Sequence, residues 1–334
     1  MNILVTGATG FIGKHLISYL SKRHNLYILV RSGSNCTFLN VNNVFVFSEN
    51  IDELAAYLRK EKIDGIIHLA SFYIAEHKSE QIKDLVLSNI YLGTALLEAC
   101  KKAETKWFLN TGTIWQNYNV SDKSDEYNPV DLYAASKQAF ITMAKYYTET
   151  SKLRFCTLKL CDTYGPGDTR KKVLALFDRI AFTGETLAMS PGGQKLDLLH
   201  IDDVVNGFEQ LANMLNDETV SVLSEYVLSS GKQISLRELA DIYENLYDVR
   251  LNINWGGRAY RKREVMRPYQ GNILPGWKAL VLLNNINGGG GKMILSIFHL
   301  HLCVIIKRLR DEYFNIRCDR ICWPSFSSSI AAGR

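Results

Sequence analysis

Three evenly spaced glycines, Gly7, Gly10 and Gly13, separate the apolar run Asn2-Ile-Leu-Val-Thr6 from the helical pattern Phe11, Ile12, Leu16, Ile17, Leu20. A bare three-glycine pattern says little. Set between a strand at the start of the chain and an amphipathic helix, it predicts a tight turn whose amides face an anion at a helix N-terminus. That arrangement is the pyrophosphate cradle of a dinucleotide-binding βαβ unit. The fold class then follows, because such a unit needs parallel strands and right-handed crossovers.

The chain downstream keeps the rhythm. Strands are expected at Leu26–Val30, Val44–Phe47, Gly65–Ala70, Trp107–Asn110 and Leu153–Leu160. Between them fall helices at Ile51–Lys60, Ser79–Lys102 and Leu132–Thr150. This alternation predicts an α/β fold with a doubly wound parallel sheet, ligands lying beyond the carboxyl ends of the strands. His68 precedes that edge inside a strand and reads as a packed histidine. Past Gly165-Pro-Gly167 the rhythm loosens, with a helix at Val173–Phe182, carboxylates opening a helix at Asp202-Asp203, and Ser235-Leu-Arg-Glu238 forming a capping box. Residues 1–165 and about 198–231 are assigned to the dinucleotide domain, and 166–197 and 232–283 to a smaller C-terminal lid.

Tyr133 and Lys137 stand four apart near the start of the 132–150 helix, so they share one face. An ammonium beside a phenol stabilises the phenolate, which lets the tyrosine exchange a proton with a sugar or alcohol oxygen near neutral pH. Spacing alone would fit an ordinary exposed pair equally well; the context decides. The strand Leu26–Val30 runs into Arg31-Ser32, with no acid before Glu49. An acid there would hold the ribose hydroxyls of NAD, whereas a base suits the 2′-phosphate of NADP. NADP(H) is therefore favoured, Arg31 stacking on adenine or pairing with phosphate, with NAD(H) as the alternative.

Charge and cysteines narrow the setting. The formal charge is +5, but residues 284–334 carry seven Lys/Arg and three acids, leaving the body at about +1. That gives no electrostatic case for nucleic acid. The seven cysteines lack framework or zinc spacing and mostly lie in apolar runs, as reduced core residues do, so no metal site is expected. The first strand begins at once, without a signal peptide, and the run 293–306 is too short to span a bilayer comfortably. A cytoplasmic location with no membrane partner is expected.

These elements resemble the extended short-chain dehydrogenase/reductase family, especially its nucleotide-sugar epimerases, dehydratases and reductases. The matching residues are Thr6–Gly13, His68-Leu69-Ala70, Asn89-Ile-Tyr-Leu-Gly-Thr94, Tyr133 with Lys137, and Tyr164-Gly-Pro-Gly167, spread over residues 1 to roughly 280. The resemblance implies that Gly7, Gly10, Phe11, Ile12, Gly13, Leu69, Ala70 and Asn89, with Tyr133 and Lys137, meet the cofactor. Lys137 would hydrogen-bond the nicotinamide ribose, and Asn89 would fix backbone beside the site. It implies Thr113 as the third catalytic residue, orienting the sugar oxygen, with Thr111 as the nearby alternative, read as backbone support. It also implies a nucleotide-sugar substrate and a homodimer.

Departures from the pattern refine the expectation. Ile114-Trp115 stands where sugar dehydratases carry Asp-Glu after the threonine, which argues against dehydration. Asp162 and the stretch Arg261-Lys-Arg-Glu264 are similar to the 4-keto reductases that make CDP-3,6-dideoxyhexoses, with Arg261 implied as a diphosphate contact. The expected activity is NADPH-dependent reduction of a nucleotide-linked 4-keto-6-deoxysugar. An NAD-dependent 4-epimerase is the nearest alternative. A non-catalytic dinucleotide sensor is the other, against which the retained Tyr133/Lys137 pair argues. Beyond Leu283 the chain leaves the family pattern at Gly288–Gly291, and 284–334 reads as the product of a reading-frame change or as a divergent terminus.

Overall fold

In a computed structural model, the described residues are 1–281 apart from 40, 123 and 125; the atypical 284–334 segment lies outside them. The element order is β1 (Asn2–Thr6), α1 (Phe11–Leu20), β2 (Asn25–Arg31), β3 (Val44–Phe47), α2 (Ile51–Lys60), β4 (Gly65–His68), α3 (Ile82–Val86), α4 (Leu92–Ala103), β5 (Trp107–Thr113) and α5 (Leu132–Thr150). Then follow β6 (Arg154–Leu160), β7 (Asp162–Tyr164), α6 (Val173–Thr183), β8 (Leu187–Met189), β9 (Lys195–His200), α7 (Ile201–Asn216), β10 (Glu225–Leu228), β11 (Gln233–Ser235), α8 (Leu236–Tyr247) and β12 (Ile253–Trp255).

Seven strands form one sheet in the order β10-β6-β5-β4-β1-β2-β3, every neighbour parallel. The strand order reverses between β1 and β4, which opens a crevice at their carboxyl ends. Alternate residues serve opposite faces, and both faces are covered. Val5, Trp107, Leu109, Val204 and Phe208 pack on the side of α1 and α7. Leu4, Leu54, Leu96, Phe108, Phe140 and Phe155 pack on the side of α2, α4 and α5. Fully buried side chains of this size each stabilise the fold by about 1.5–3 kcal/mol relative to exposure.

A separate core joins residues assigned to the lid with the end of β7 and with β9, and in it Phe177, Leu198, Leu239 and Tyr243 meet. Tyr243 donates to Asp178 at 2.6 Å within it. The expected boundary at 197/198 falls inside β9, which pairs with β7 on one side and β11 on the other. This three-stranded sheet starts from β7, which directly follows the carboxyl end of β6. The capping box forms as expected, the Ser235 and Glu238 side chains exchanging bonds with each other's backbone N–H.

Beyond one-residue shifts at element ends, three expected elements differ, the slightest being β4, which stops at His68 instead of Ala70. The single helix over 79–102 is instead a 3-10 turn at Ser79–Gln81, α3, a π turn at Leu87–Tyr91, and α4. The π turn carries Asn89, only 1% exposed, and polar demands on that side chain account for the break. β5 runs three residues past Asn110, so Thr111 and Thr113 lie on the strand rather than in the loop after it.

Candidate active site

The β1–α1 turn is built from backbone. Gly7 adopts φ +69°, and a Cβ there would meet the Ala70 nitrogen at 2.6 Å. A Cβ on Gly13 would lie 2.3 Å from the Gly7 carbonyl oxygen. The Gly10 N–H donates to that carbonyl at 3.0 Å, closing the turn. Gly10 caps α1 without a side-chain bond, and the first turn holds no acid. Its amides thus lack a side-chain acceptor, as a pyrophosphate site requires. The chain beside it is braced: Ala70 N–H donates to Thr6 Oγ1 at 3.2 Å, and Thr6 Oγ1 lies 2.8 Å from His68 Nδ1. His68 is fully buried between Phe108 and Phe140, and burial with the nearby Lys137 charge lowers its pKa to about 3. It is a neutral packed histidine.

Phe11 and Ile12 open α1 half-buried, and the Arg170 guanidinium lies 4.3 Å over the Phe11 ring. Arg31 is the exposed last residue of β2, at the same carboxyl edge. Leu69 and Ala70 follow β4 directly, between these groups and the catalytic end. The residues present fit a dinucleotide lying across the edge from β2 to β5.

The β5–α5 end is built from side chains. Asp131 caps α5 by accepting the Ala134 N–H at 2.8 Å. Lys137 is 2% exposed, and its Nζ sits 6.0 Å from the Tyr133 ring centroid. Burial lowers the lysine to about 8. The same burial raises the Tyr133 phenol above its ordinary value, opposed by a hydrogen bond from Ser71 and reinforced by Tyr73 and Asp131. Lysine-driven lowering of the tyrosine was the expectation, and the balance is opposite. Both groups lose water, and desolvation of the phenolate outweighs the Ser71 hydrogen bond that favours it.

Asn89 stabilises this corner as anticipated. Its Oδ1 accepts the Phe72 N–H at 2.7 Å, while its Nδ2 donates to Phe72 O at 3.0 Å and Ser136 Oγ at 2.9 Å. Ser136 in turn donates to the Tyr133 carbonyl at 2.7 Å. Thr113 ends β5, its Oγ1 accepting the Trp115 N–H at 3.3 Å and its own N–H donating to Gln116 Oε1 at 2.9 Å. Thr111 was expected to brace backbone. Instead its Oγ1 is buried and has no hydrogen-bond partner among the described residues, while its backbone lies in the ladder with β6.

Asp162 opens β7 with its carboxylate 3.6 Å from Lys172 Nζ. Arg261 Nε lies 3.5 Å from Glu76. Tyr73 stands among these groups, its ring 5.0 Å from that of Tyr133 and 5.9 Å from that of Trp115. Burial raises the Tyr73 phenol to about 12, with Asp162 and Asp131 adding to the rise and Arg261 and Arg170 opposing it. About half of its surface is nonetheless open, so it lines the site. Sequence reasoning missed Ser71, Tyr73, Gln116 and Lys172. Only the loop position after β4 could have flagged the first two.

The family model for the NAD dependent epimerase/dehydratase family matches residues 3–222, most of the chain. The chain belongs to that family. CDP-abequose synthase of Salmonella muenchen is 28% identical over 271 residues, covering 80% of this chain and 88% of the relative. The Yersinia pseudotuberculosis CDP-abequose synthase is 26% identical over 274 residues, with coverage of 80% and 92%. Among solved structures, UDP-glucose 4-epimerase of Thermotoga maritima superposes with a TM-score of 0.75 at 20% identity, covering 90% of this chain and all of the other. MoeE5 in complex with UDP-glucuronic acid and NAD gives 0.70 at 20% identity, covering 85% and 95%. As a family member, the chain is an NAD(P)-dependent enzyme of the nucleotide-sugar epimerase, dehydratase and reductase group. No helix among the described residues is long and apolar enough to cross a membrane.

Proposed function

We propose that this protein reduces a nucleotide-linked 4-keto-6-deoxysugar with NADPH. Arg31 carries the reading. A cation in place of an acid at the end of β2 suits the 2′-phosphate of NADP(H), the cofactor of net reduction. The similarity to CDP-abequose synthases along most of their length supports the same substrate class.

Bound NADPH would supply the hydride for carbon 4. Tyr133 donates the proton to the oxygen, and the raised phenol pKa keeps it protonated at neutral pH, as an acid must be. Lys137, with its pKa near 8, is mostly charged at pH 7 and compensates the phenolate left behind; it also bonds the nicotinamide ribose. Thr113 orients the sugar oxygen with its hydroxyl hydrogen, since its oxygen already accepts the Trp115 N–H. Thr111 is the second candidate, with an unspent hydroxyl, and separate Thr→Val variants tell the two apart. Asp162 with Lys172, and Arg261, are the polar groups offered to sugar and diphosphate.

The assembly in this reading is a homodimer in the cytoplasm. Ile82 and Val86 on α3, with Met143 and Tyr146 on α5, expose apolar side chains that a second copy would cover. The deciding experiment is incubation with CDP- and dTDP-4-keto-6-deoxyglucose and NADPH. Stoichiometric loss of reduced nicotinamide with formation of a C4 alcohol is expected. Interconversion of UDP-hexoses without net cofactor consumption would instead establish an epimerase.

A further inference from the structure

Gln116 has no exposed surface at all, yet it is fully polar and lies three residues beyond Thr113. Its side chain spans two elements. Oε1 accepts the Thr113 N–H at 2.9 Å, and Nε2 donates to Gln138 Oε1 at 2.7 Å on α5. Gln138 directly follows Lys137, so the bridge reaches the helix that carries both the proton donor and its lysine. The backbone around Gln116 is engaged as well: Asn128 N–H donates to Gln116 O, and Val130 N–H to Trp115 O, each at 2.9 Å. These bonds bring the returning loop alongside the turn just before α5 begins. Room for the amide comes from Gly112, where a Cβ would meet Gln116 Oε1 at 2.8 Å and Thr157 Cγ2 at 2.7 Å.

The physical cost indicates purpose. An amide buried without bonds costs about 1–3 kcal/mol, and an apolar side chain of this length would fill the space without that demand. The bonds it makes do not join two core elements generally. They join the last residue of β5 to the first turns of α5, and these two segments must hold a sugar oxygen between Thr113 and Tyr133.

We propose that Gln116 is a positioning residue that fixes the end of β5 against α5 and so sets the Thr113–Tyr133 spacing for proton transfer. The assignment rests on the role of Thr113 in the proposed function. Gln116 touches no substrate, so its loss should act on turnover more than on substrate affinity.

The test is a double-mutant cycle on the full chain with the 4-keto sugar that the wild type turns over. Gln116→Met should lower kcat about tenfold to a hundredfold, the scale of a small misplacement, with KM nearly unchanged. Because the residue acts through Thr113, Gln116→Met in a Thr113→Val background should cost nearly nothing further. A Gln116→Met kcat within about twofold of wild type, or fully multiplicative losses in the double variant, would overturn the proposal. Should Gln116→Met fail to fold, Gln138→Leu on the half-buried helix face removes only the bridge to α5 and should show the same kcat loss and the same non-additivity with Thr113→Val.

A second arm needs no substrate. Amide hydrogen exchange at Thr113 should accelerate in Gln116→Met while the β1–β4 amides stay protected, and unchanged exchange at Thr113 refutes the clamp. If the reductase reading itself fails, the wild type reduces no 4-keto sugar and the cycle is run on whatever C4 turnover it does catalyse. If only the clamp fails, the wild type turns over and Gln116→Met keeps pace with it.

Discussion

The two ends of the crevice are made differently. The β1–α1 end is built from backbone: a glycine in the left-handed region, a second glycine pressed on a carbonyl, and uncapped amides. The β5–α5 end is built from side chains, with Asn89, Ser136, Gln116 and Gln138 bracing the backbone of Tyr133 and Thr113. A backbone site tolerates almost any residue except at the glycines. A side-chain site needs a second layer of hydrogen bonds to hold its geometry.

The two ends should therefore fail in different ways. The largest effect falls on the catalytic end. Tyr133→Phe should lower kcat about 10²- to 10⁴-fold while leaving dinucleotide affinity within a few-fold, read by steady-state kinetics and cofactor titration. Near-full turnover in a folded Tyr133→Phe protein would remove Tyr133 from its role.

Gly13→Ala should do the reverse. Its methyl would lie 2.3 Å from the Gly7 carbonyl, so the turn must shift, an overpacking cost of about 1–3 kcal/mol. Dinucleotide affinity should weaken about tenfold to a hundredfold, seen by calorimetry, while the Thr113 and Tyr133 amides keep their exchange protection.

Arg31→Asp sharpens the cofactor side alone. Removing a charge-assisted bond worth about 1.5–3 kcal/mol should weaken NADPH by about tenfold or more, and the new acid should improve NADH. Equal affinities for the two cofactors in wild type would contradict the NADP reading.

The last effect is on stability rather than on turnover or binding. Burial holds the Lys137 proton at about 8 against an ordinary 10.5, so the unfolded chain binds it more tightly. The cost to folding is therefore full below about pH 8 and fades as pH rises towards 10.5, a gain of about 3 kcal/mol at most. Urea unfolding at the two ends of this window should show the gain in the ligand-free wild type and not in Lys137→Met.

The same contrast explains what the sequence made legible. The glycine spacing after an apolar strand and the Tyr133–Lys137 repeat are local signals, and the structure holds them where they were expected. α2 and α5 match residue for residue, because Asn50 and Asp131 cap them from within the local sequence. The bonds that join the site's separate elements are long-range. Asn89 to Ser136, Gln116 to Gln138, and Arg263 to Asn128 join residues far apart in the chain, and no local pattern marks them. The direction of the Tyr133 shift was misjudged for the same reason. Spacing shows that a lysine is near, but not how much water both groups lose.

The π turn at Leu87–Tyr91 carries one more residue than an α-helical turn would hold. Each residue of a helix sweeps about 100° around its axis, so that surplus is a rotation written into length. It aims Asn89 at Phe72 and Ser136 while the flanking turns still face the core. A deletion of a single codon here would leave every strand pairing available and swing that amide out of reach. This stretch of the chain should accept substitutions at its exposed positions far more readily than any change in its length.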